Sequence, residues 1–389
     1  MRVVVPVVSS ANTMSGVTRH AINMVRALLL TERVDHVHVV AGQWQKYVAE
    51  ALGDVPGLSL EMLKIHSDIV SRNLWYAVGL PRVVRQENAD LVHYSFPSPL
   101  WRSAMDAPAV VTLHDLYPHD LPENFGPIKA PFNRIVLRQC LWAADAIACV
   151  SHSTLARLER IDPMLSLRSA HVIPNCVEVP DAEVKPLEGL SDPFVLCVAQ
   201  HRRNKNLLVL LRSFVHLRAM ASVDQNLRLL IVGMDGPETN AIKSFIEQHH
   251  LQEKVLLKSG LSEGELRWCY RECLALVAPS VVEGFGLPVA EALLEGCRVV
   301  CSDIPSFREV GKHHCRYVRL NDCADVGFAN AIVEECVRPK PLAVMSPQYS
   351  LETIACQYEE LYRSLVVRNS SSVPVGCSTA KHVKGHVEV

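Results

Sequence analysis

The stretch Ala278–Arg298, APSVVEGFGLPVAEALLEGCR, decides how this chain is read. The apolar run ALVA at its head has the pattern of a buried strand, and PVAEALLEG that of a short helix. Pro288 suits the first helical position and Gly296 the stop. Between them lies a turn of Gly284, Phe285, Gly286, Leu287 and Pro288, bracketed by Glu283 and Glu291. Such a turn aims backbone N–H groups and the positive helix end at one point, which suits an anion. Glu291 is expected in the first helical turn, where the dipole keeps it ionised and able to grip a pair of hydroxyls. Glu283 precedes the turn and can reach whatever the anion carries. A phosphate flanked by two hydroxyl-binding carboxylates fits a nucleotide sugar. The same pattern also serves as an ordinary solvated helix start in α/β proteins, so the rest of the chain must decide.

Composition narrows the classes. The chain has 389 residues, 49% of them hydrophobic and 21% charged, enough for two or three domains with cores of their own. With 39 basic and 41 acidic side chains the net charge is −2, which gives no bulk electrostatic case for nucleic acid. No apolar run reaches the roughly 18 residues of a spanning helix. MRVVVPVVSS at the start is a strand pattern without the shape of a signal peptide, so a cytoplasmic location is expected. Of 13 cysteines none precedes Cys140, and Cys149 and Cys197 sit in apolar strand-like runs, where cysteine behaves as a small hydrophobe. No disulfide is expected. His313, His314 and Cys315 adjoin one another, but no second ligand pair follows at zinc-site spacing, so no metal is expected either.

The chain alternates strand and helix twice. Strands are predicted at residues 3–8, 37–40, 58–63, 91–95, 109–115 and 146–151, with helices from Val17 and around 43–53, 72–86 and 131–144. A second series begins with FVLCVA (194–199) and runs through RVVCSD (298–303). Alternation of this kind implies parallel sheets covered on both faces, with ligands at the carboxyl ends of the strands. The fold class is therefore α/β, two doubly wound, Rossmann-like domains facing across a cleft. The expected divisions are residues 1–180, a proline- and charge-rich linker at 181–193, a second domain at 194–349, an amphipathic helix at 350–366, and a disordered tail at 367–389. Gly16 lies in the loop after the first strand, where backbone can approach a ligand. His114 ends the strand AVVTLHD and opens a long irregular stretch suited to an active-site rim. Arg202, Arg203 and Lys205 follow the first strand of the second domain, on the edge expected to carry the Gly284–Pro288 turn, and could neutralise a diphosphate.

Rival motifs are missing: there is no G-x-G-x-x-G after the first strand of either half, no Walker sequence and no G-x-S-x-G elbow. With EGFGLPVAE, VVCSDIPSFREVGK (with Glu309), ADAIACVSHSTLARL and HVIPNCV in view, the chain resembles the retaining GT-B glycosyltransferases of family 4. That group includes bacterial polysaccharide mannosyl- and glucosyltransferases. The likeness covers residues 1–366 as architecture and is sharpest around the pair Glu283 and Glu291.

The resemblance implies a division of labour. Glu291 would hold the ribose hydroxyls and Glu283 those of the donor sugar. Phe285, Gly286 and Leu287 would offer backbone N–H groups to sugar and phosphate. Lys205 with an arginine of its loop would bind the diphosphate, His114 would approach the transferred sugar, and Gly16 would lie near the phosphates. The last helix would cross back to the first domain. Three departures stand out: Ala199 and Gln200 replace the usual Gly and Arg, leaving Arg202 or else Arg203 for the phosphate, and Cys176 replaces a turn glycine. The resemblance implies a hexose donor of the nucleotide-diphosphate type, GDP-mannose ahead of UDP-sugars, and a saccharide or lipid-linked acceptor. No cofactor beyond the donor substrate is expected, since no Asp-x-Asp metal motif ends a strand. NLWYAVGLPRVVRQ (73–86), with Arg82 and Arg85, is a site for peripheral membrane contact or a plain amphipathic helix. Other readings are a catalytically silent nucleotide-sugar-binding subunit and a GT-B-fold epimerase or phosphorylase.

Overall fold

The computed structural model describes residues 1–124, 126–178 and 182–371. Strands β1 (Arg2–Pro6), β2 (His36–Gly42), β3 (Leu58–Leu63), β4 (Leu91–Tyr94), β5 (Ala109–Leu113), β6 (Ala146–Cys149) and β7 (Ala170–Val172) form one sheet in the order β3-β2-β1-β4-β5-β6-β7. A second sheet takes β8 (Phe194–Val198), β9 (Arg228–Val232), β10 (Val255–Lys258), β11 (Leu276–Ala278), β12 (Val299–Ser302) and β13 (Arg316–Val318) in the order β10-β9-β8-β11-β12-β13. Every pairing is parallel. Both sheets therefore reverse strand order once, between β1 and β4 and between β8 and β11. The crevice for a ligand opens at such a switch point.

Each sheet has an apolar core on either face, which is why its central strands are rich in Val, Leu and Ile, with His93 and Thr112 as the polar exceptions on β4 and β5. The linker is not a free tether. Leu187 and Leu190 are buried in the second domain's core, and Lys185 donates its backbone N–H to Gly264 O at 3.1 Å. The helix Leu351–Ser371 leaves the second domain and packs Ile354, Tyr358, Leu361, Tyr362 and Leu365 into the first domain's core. It extends to Ser371, into the stretch expected as tail. Residues 372–389 lie outside the described residues.

Three histidines share the interior under the carboxyl edge of the first sheet. Thr112 Oγ1 lies 2.8 Å from His93 Nε2 and 3.3 Å from His20 Nε2, and His20 meets the His114 ring edge-on at 4.7 Å. His93 Nδ1 is hydrogen-bonded to the Tyr362 hydroxyl, which ties the last helix to this cluster. Burial pushes His93 down to about 3, His114 down to about 4, and His20 well below the usual imidazole range. In the unfolded chain each would bind a proton near pH 6.5. Their contribution to stability is thus fully present above about pH 6.5 and is lost as pH falls toward 4. Each costs about 1.4 kcal/mol per pH unit through that window. The denaturant midpoint of the first domain is expected to drop steeply between about pH 6.5 and pH 4. A flat midpoint over that range would contradict the neutral cluster.

Candidate donor-binding cleft

The turn after β11 stands where the two domains meet. Its helix is Leu287–Leu294, begun by Gly286 at φ +106°, a left-handed conformation that glycine adopts without strain. A side chain there would also stand 2.8 Å from the Phe307 ring. Because Gly286 completes the turn, the helix starts at Leu287, and Pro288 is its second residue. Glu291 therefore falls beyond the first turn, contrary to expectation, and owes little to the helix end. Gly296, at φ +70°, lies just past the helix end, the left-handed stop expected of it.

Glu283 is the most heavily bound side chain of the cleft. Its Oε1 accepts from Lys205 Nζ at 2.5 Å and from Ser280 Oγ at 2.8 Å, and its Oε2 accepts from the Tyr117 hydroxyl of the first domain at 3.0 Å. Burial first, and then the charge of Glu283, raise the pKa of Tyr117 well above the usual phenol range, so Tyr117 stays protonated and donates. Glu291 accepts from the Tyr270 hydroxyl at 2.8 Å, and Arg19 Nε of the first domain lies 3.8 Å from its other oxygen. Arg19 also grips Glu263 through both terminal nitrogens at 2.9 and 2.5 Å. Burial opposes the charge of Arg19, but Glu291 and Glu263 outweigh it and hold the pKa above its ordinary value.

Backbone contacts seal the seam. Ser151 Oγ and Thr154 Oγ1 donate to Gly284 O at 2.5 and 3.1 Å, while Ser151 also caps the helix His152–Ile161. A Cβ on Gly284 would stand 1.6 Å from His114 O, so only glycine lets the two backbone segments lie this close. Glu309 accepts from His152 N and Ser153 N at 2.9 and 3.1 Å, a carboxylate at a helix start. His114 donates Nε2–H to Ser95 O at 2.8 Å, which leaves Nδ1 as the acceptor of a neutral ring.

The expected site residues do not all converge. Glu283, Lys205 and the backbone of His114 come together. Gly16 opens the helix Gly16–Leu29 and lies over Leu287, 3.6 Å from the position of a Cβ to Leu287 Cδ1. Arg203 is exposed and turned toward Glu123, 3.9 Å away, whereas Arg202 lies close enough for its charge to act on Asp115. Phe285 puts its ring into the core against Tyr349, leaving only its backbone for the cleft. Sequence reasoning missed Tyr117, Ser280, Tyr270, Arg19 and Glu263. Only Ser280 carried a signal, the S-x-x-E spacing to Glu283.

A two-domain α/β protein with parallel sheets, a cleft at both switch points and paired carboxylates beside cationic side chains has the GT-B architecture. Family models describe the halves of this chain as "Glycosyltransferase Family 4" over residues 14–179 and "Glycosyl transferases group 1" over residues 180–320. The chain belongs to the family 4 GT-B glycosyltransferases. It is 28% identical over 215 residues to the O-antigen chain mannosyltransferase RfbU of Salmonella typhimurium, covering 54% of this chain and 57% of RfbU. It is 25% identical over 264 residues to the serotype-specific mannosyltransferase WbdA of Escherichia coli, covering 62% of this chain and 32% of WbdA. The chain thus spans about a third to somewhat over half the length of these relatives. HepE of Anabaena, solved with UDP and glucose, superposes with a TM-score of 0.63 at 16% identity, over 96% of this chain and all of HepE.

Proposed function

We propose that this protein transfers a hexose, with GDP-mannose as donor, to a saccharide or lipid-linked saccharide in polysaccharide biosynthesis, with retention at the anomeric carbon. The observation that carries the reading is the left-handed Gly286 turn, with Glu283 and Glu291 on either side and Lys205 against Glu283. Glu291, held by Tyr270, takes the ribose hydroxyls, and Glu283 takes those of the sugar. The Lys205 ammonium has three donors and gives one to Glu283, so it can serve a diphosphate as well. With Arg202 it would stabilise charge developing on the leaving diphosphate, the part a divalent ion plays elsewhere. The neutral Nδ1 of His114 would accept a hydroxyl of the transferred sugar. The mannosyltransferase relatives favour mannose over other hexoses.

The acceptor side is the first domain. Along residues 69–86 the exposed Val70, Leu74 and Val78 recur every four residues and lead to Arg82. An apolar stripe ending in a cation supports peripheral docking at the inner face of a membrane that carries a lipid-linked acceptor. Among the described residues no helix is long and apolar enough to cross one.

A thermal-shift series against GDP-mannose, UDP-glucose and UDP-N-acetylglucosamine, paired with product NMR on a mannose-primed acceptor, tests this reading. Donor at about 100 times its Kd should add about 2.7 kcal/mol to stability. A shift with GDP-mannose alone and an axial product linkage is the expected result. No shift with any nucleotide sugar sinks the transferase reading, and a shift without turnover marks a silent binding subunit.

A further inference from the structure

A second cluster of ligating side chains lies at the opposite end of the first sheet from the cleft, where β1 and β2 begin. His36 and His38 alternate along β2 and so face the same side. Ser59 and Glu61 do the same on β3, and Ser59 is the direct partner of His38 in the sheet. The helix Leu80–Gln86 ends over this face and delivers Glu87. One ligand atom each from His36, His38 and Glu87 lie within 4.8 Å of one another, the only such group of three among the described residues.

Neighbouring groups gather these ligand atoms about one point, which the Ser59 hydroxyl fills. Arg2 takes Glu87 Oε2 at 3.0 Å, while Glu87 Oε1 faces His38 Nδ1 at 3.9 Å. Ser59 Oγ sits 2.7 Å from both His36 Nε2 and His38 Nδ1, marking the point on which the two nitrogens converge. His38 is buried, and its Nε2 has no hydrogen-bond partner. That nitrogen faces Glu61 Oε2 at 3.5 Å. A metal-bound histidine ordinarily gives its second N–H to a carboxylate, which fixes the tautomer and strengthens the ligand. Glu61 stands within a small side-chain turn of that arrangement, which would leave His38 Nδ1 for the ion. An ion at that point would take the place of the Ser59 hydroxyl, which must turn aside, and bonds of about 2.0–2.1 Å would then bring each imidazole in by under about 1 Å.

We propose that His36 Nε2, His38 Nδ1 and Glu87 Oε1 bind a borderline divalent cation of the zinc class, with Glu61 orienting His38. The ion clamps β2, β3 and the end of the helix Leu80–Gln86 together. It is a structural site, remote from the donor cleft. Two imidazoles and one carboxylate suit zinc, nickel or cobalt better than magnesium or calcium. The expectation of no metal came from His313, His314 and Cys315, whereas these ligands are scattered over β2 and a helix end.

Titration of the chelator-stripped full chain with Co2+ tests the site, because visible ligand-field bands tell nitrogen and oxygen ligands from thiolates. One equivalent should bring up bands without thiolate charge transfer, raise the melting temperature and be displaced by Zn2+. Glu87→Gln keeps the shape and the Arg2 contact, and His36→Ala removes a half-buried ligand. Each should weaken Co2+ binding by at least about tenfold, and Glu61→Gln by about 10- to 100-fold. Thiolate charge transfer, or affinity unchanged in both Glu87→Gln and His36→Ala, overturns the proposal.

Discussion

Glu283→Gln is expected to lower the rate of sugar transfer by about a hundred- to a thousand-fold, the range seen when one preorganised polar group at a reacting centre is removed. The substitution is close to isosteric: with the amide oxygen at the Oε1 position Ser280 still donates to it, and the amide NH2 at the Oε2 position can donate to the Tyr117 hydroxyl oxygen. Lys205, partly exposed at 19%, loses its anion but can turn toward solvent. The melting temperature should therefore change little. The expected pattern is a fall in kcat with the folded state intact, because the carboxylate would act on the sugar and on Lys205 rather than on the core. A variant that transfers at the parental rate would remove Glu283 from the chemistry.

Gly284→Ala should be nearly as damaging for a different reason. The new methyl would stand 1.6 Å from His114 O and 2.8 Å from its carbonyl carbon. Both are backbone atoms, so the strain can be relieved only by moving the turn or the first domain. Either movement also strains the bonds from Ser151 and Thr154 to Gly284 O. A misplacement of about 1 Å between reacting groups can cost about a hundredfold in rate. Transfer should fall by about that factor, while each domain keeps its own core and the far-ultraviolet circular dichroism is unchanged. Parental kcat/KM in Gly284→Ala would show that the close seam between turn and His114 is dispensable.

Much of this architecture was legible in the sequence because its physics is local. Strands buried on both faces are mostly apolar, so β1, β2, β4, β5 and β8 could be placed to within a few residues. β13 was missed: three residues, Arg316–Val318, at a sheet edge with only Val318 buried carry no period to read. The stop at Gly296 was readable because the left-handed position after a helix selects glycine. The start was misjudged by a residue, since Pro288 is tolerated at the second helical position as well as the first, and this moved Glu291 out of the first turn.

The candidate site was legible only in its contiguous half. Glu283, the glycines and Glu291 share one stretch, and their spacing is visible. Tyr117 and Arg19 act on those carboxylates from the first domain, more than a hundred residues away in the chain. No local pattern records such a contact. The choice between Arg202 and Arg203 depended on a side-chain direction, which adjacent residues of the same type cannot reveal. The metal-ligand cluster on β2 was hidden for the same reason, with His36 and His38 close in sequence but Glu87 brought in by a helix end.

The central claim is that the turn between Glu283 and Glu291 clamps the donor, with Glu283 on the sugar and Glu291 on the ribose. Parallel calorimetric titrations of GDP and GDP-mannose into the parent and Glu283→Gln test it most directly. The account predicts that the gain in affinity of GDP-mannose over GDP, present in the parent, disappears in the variant. GDP-mannose binding Glu283→Gln as tightly as it binds the parent would contradict it.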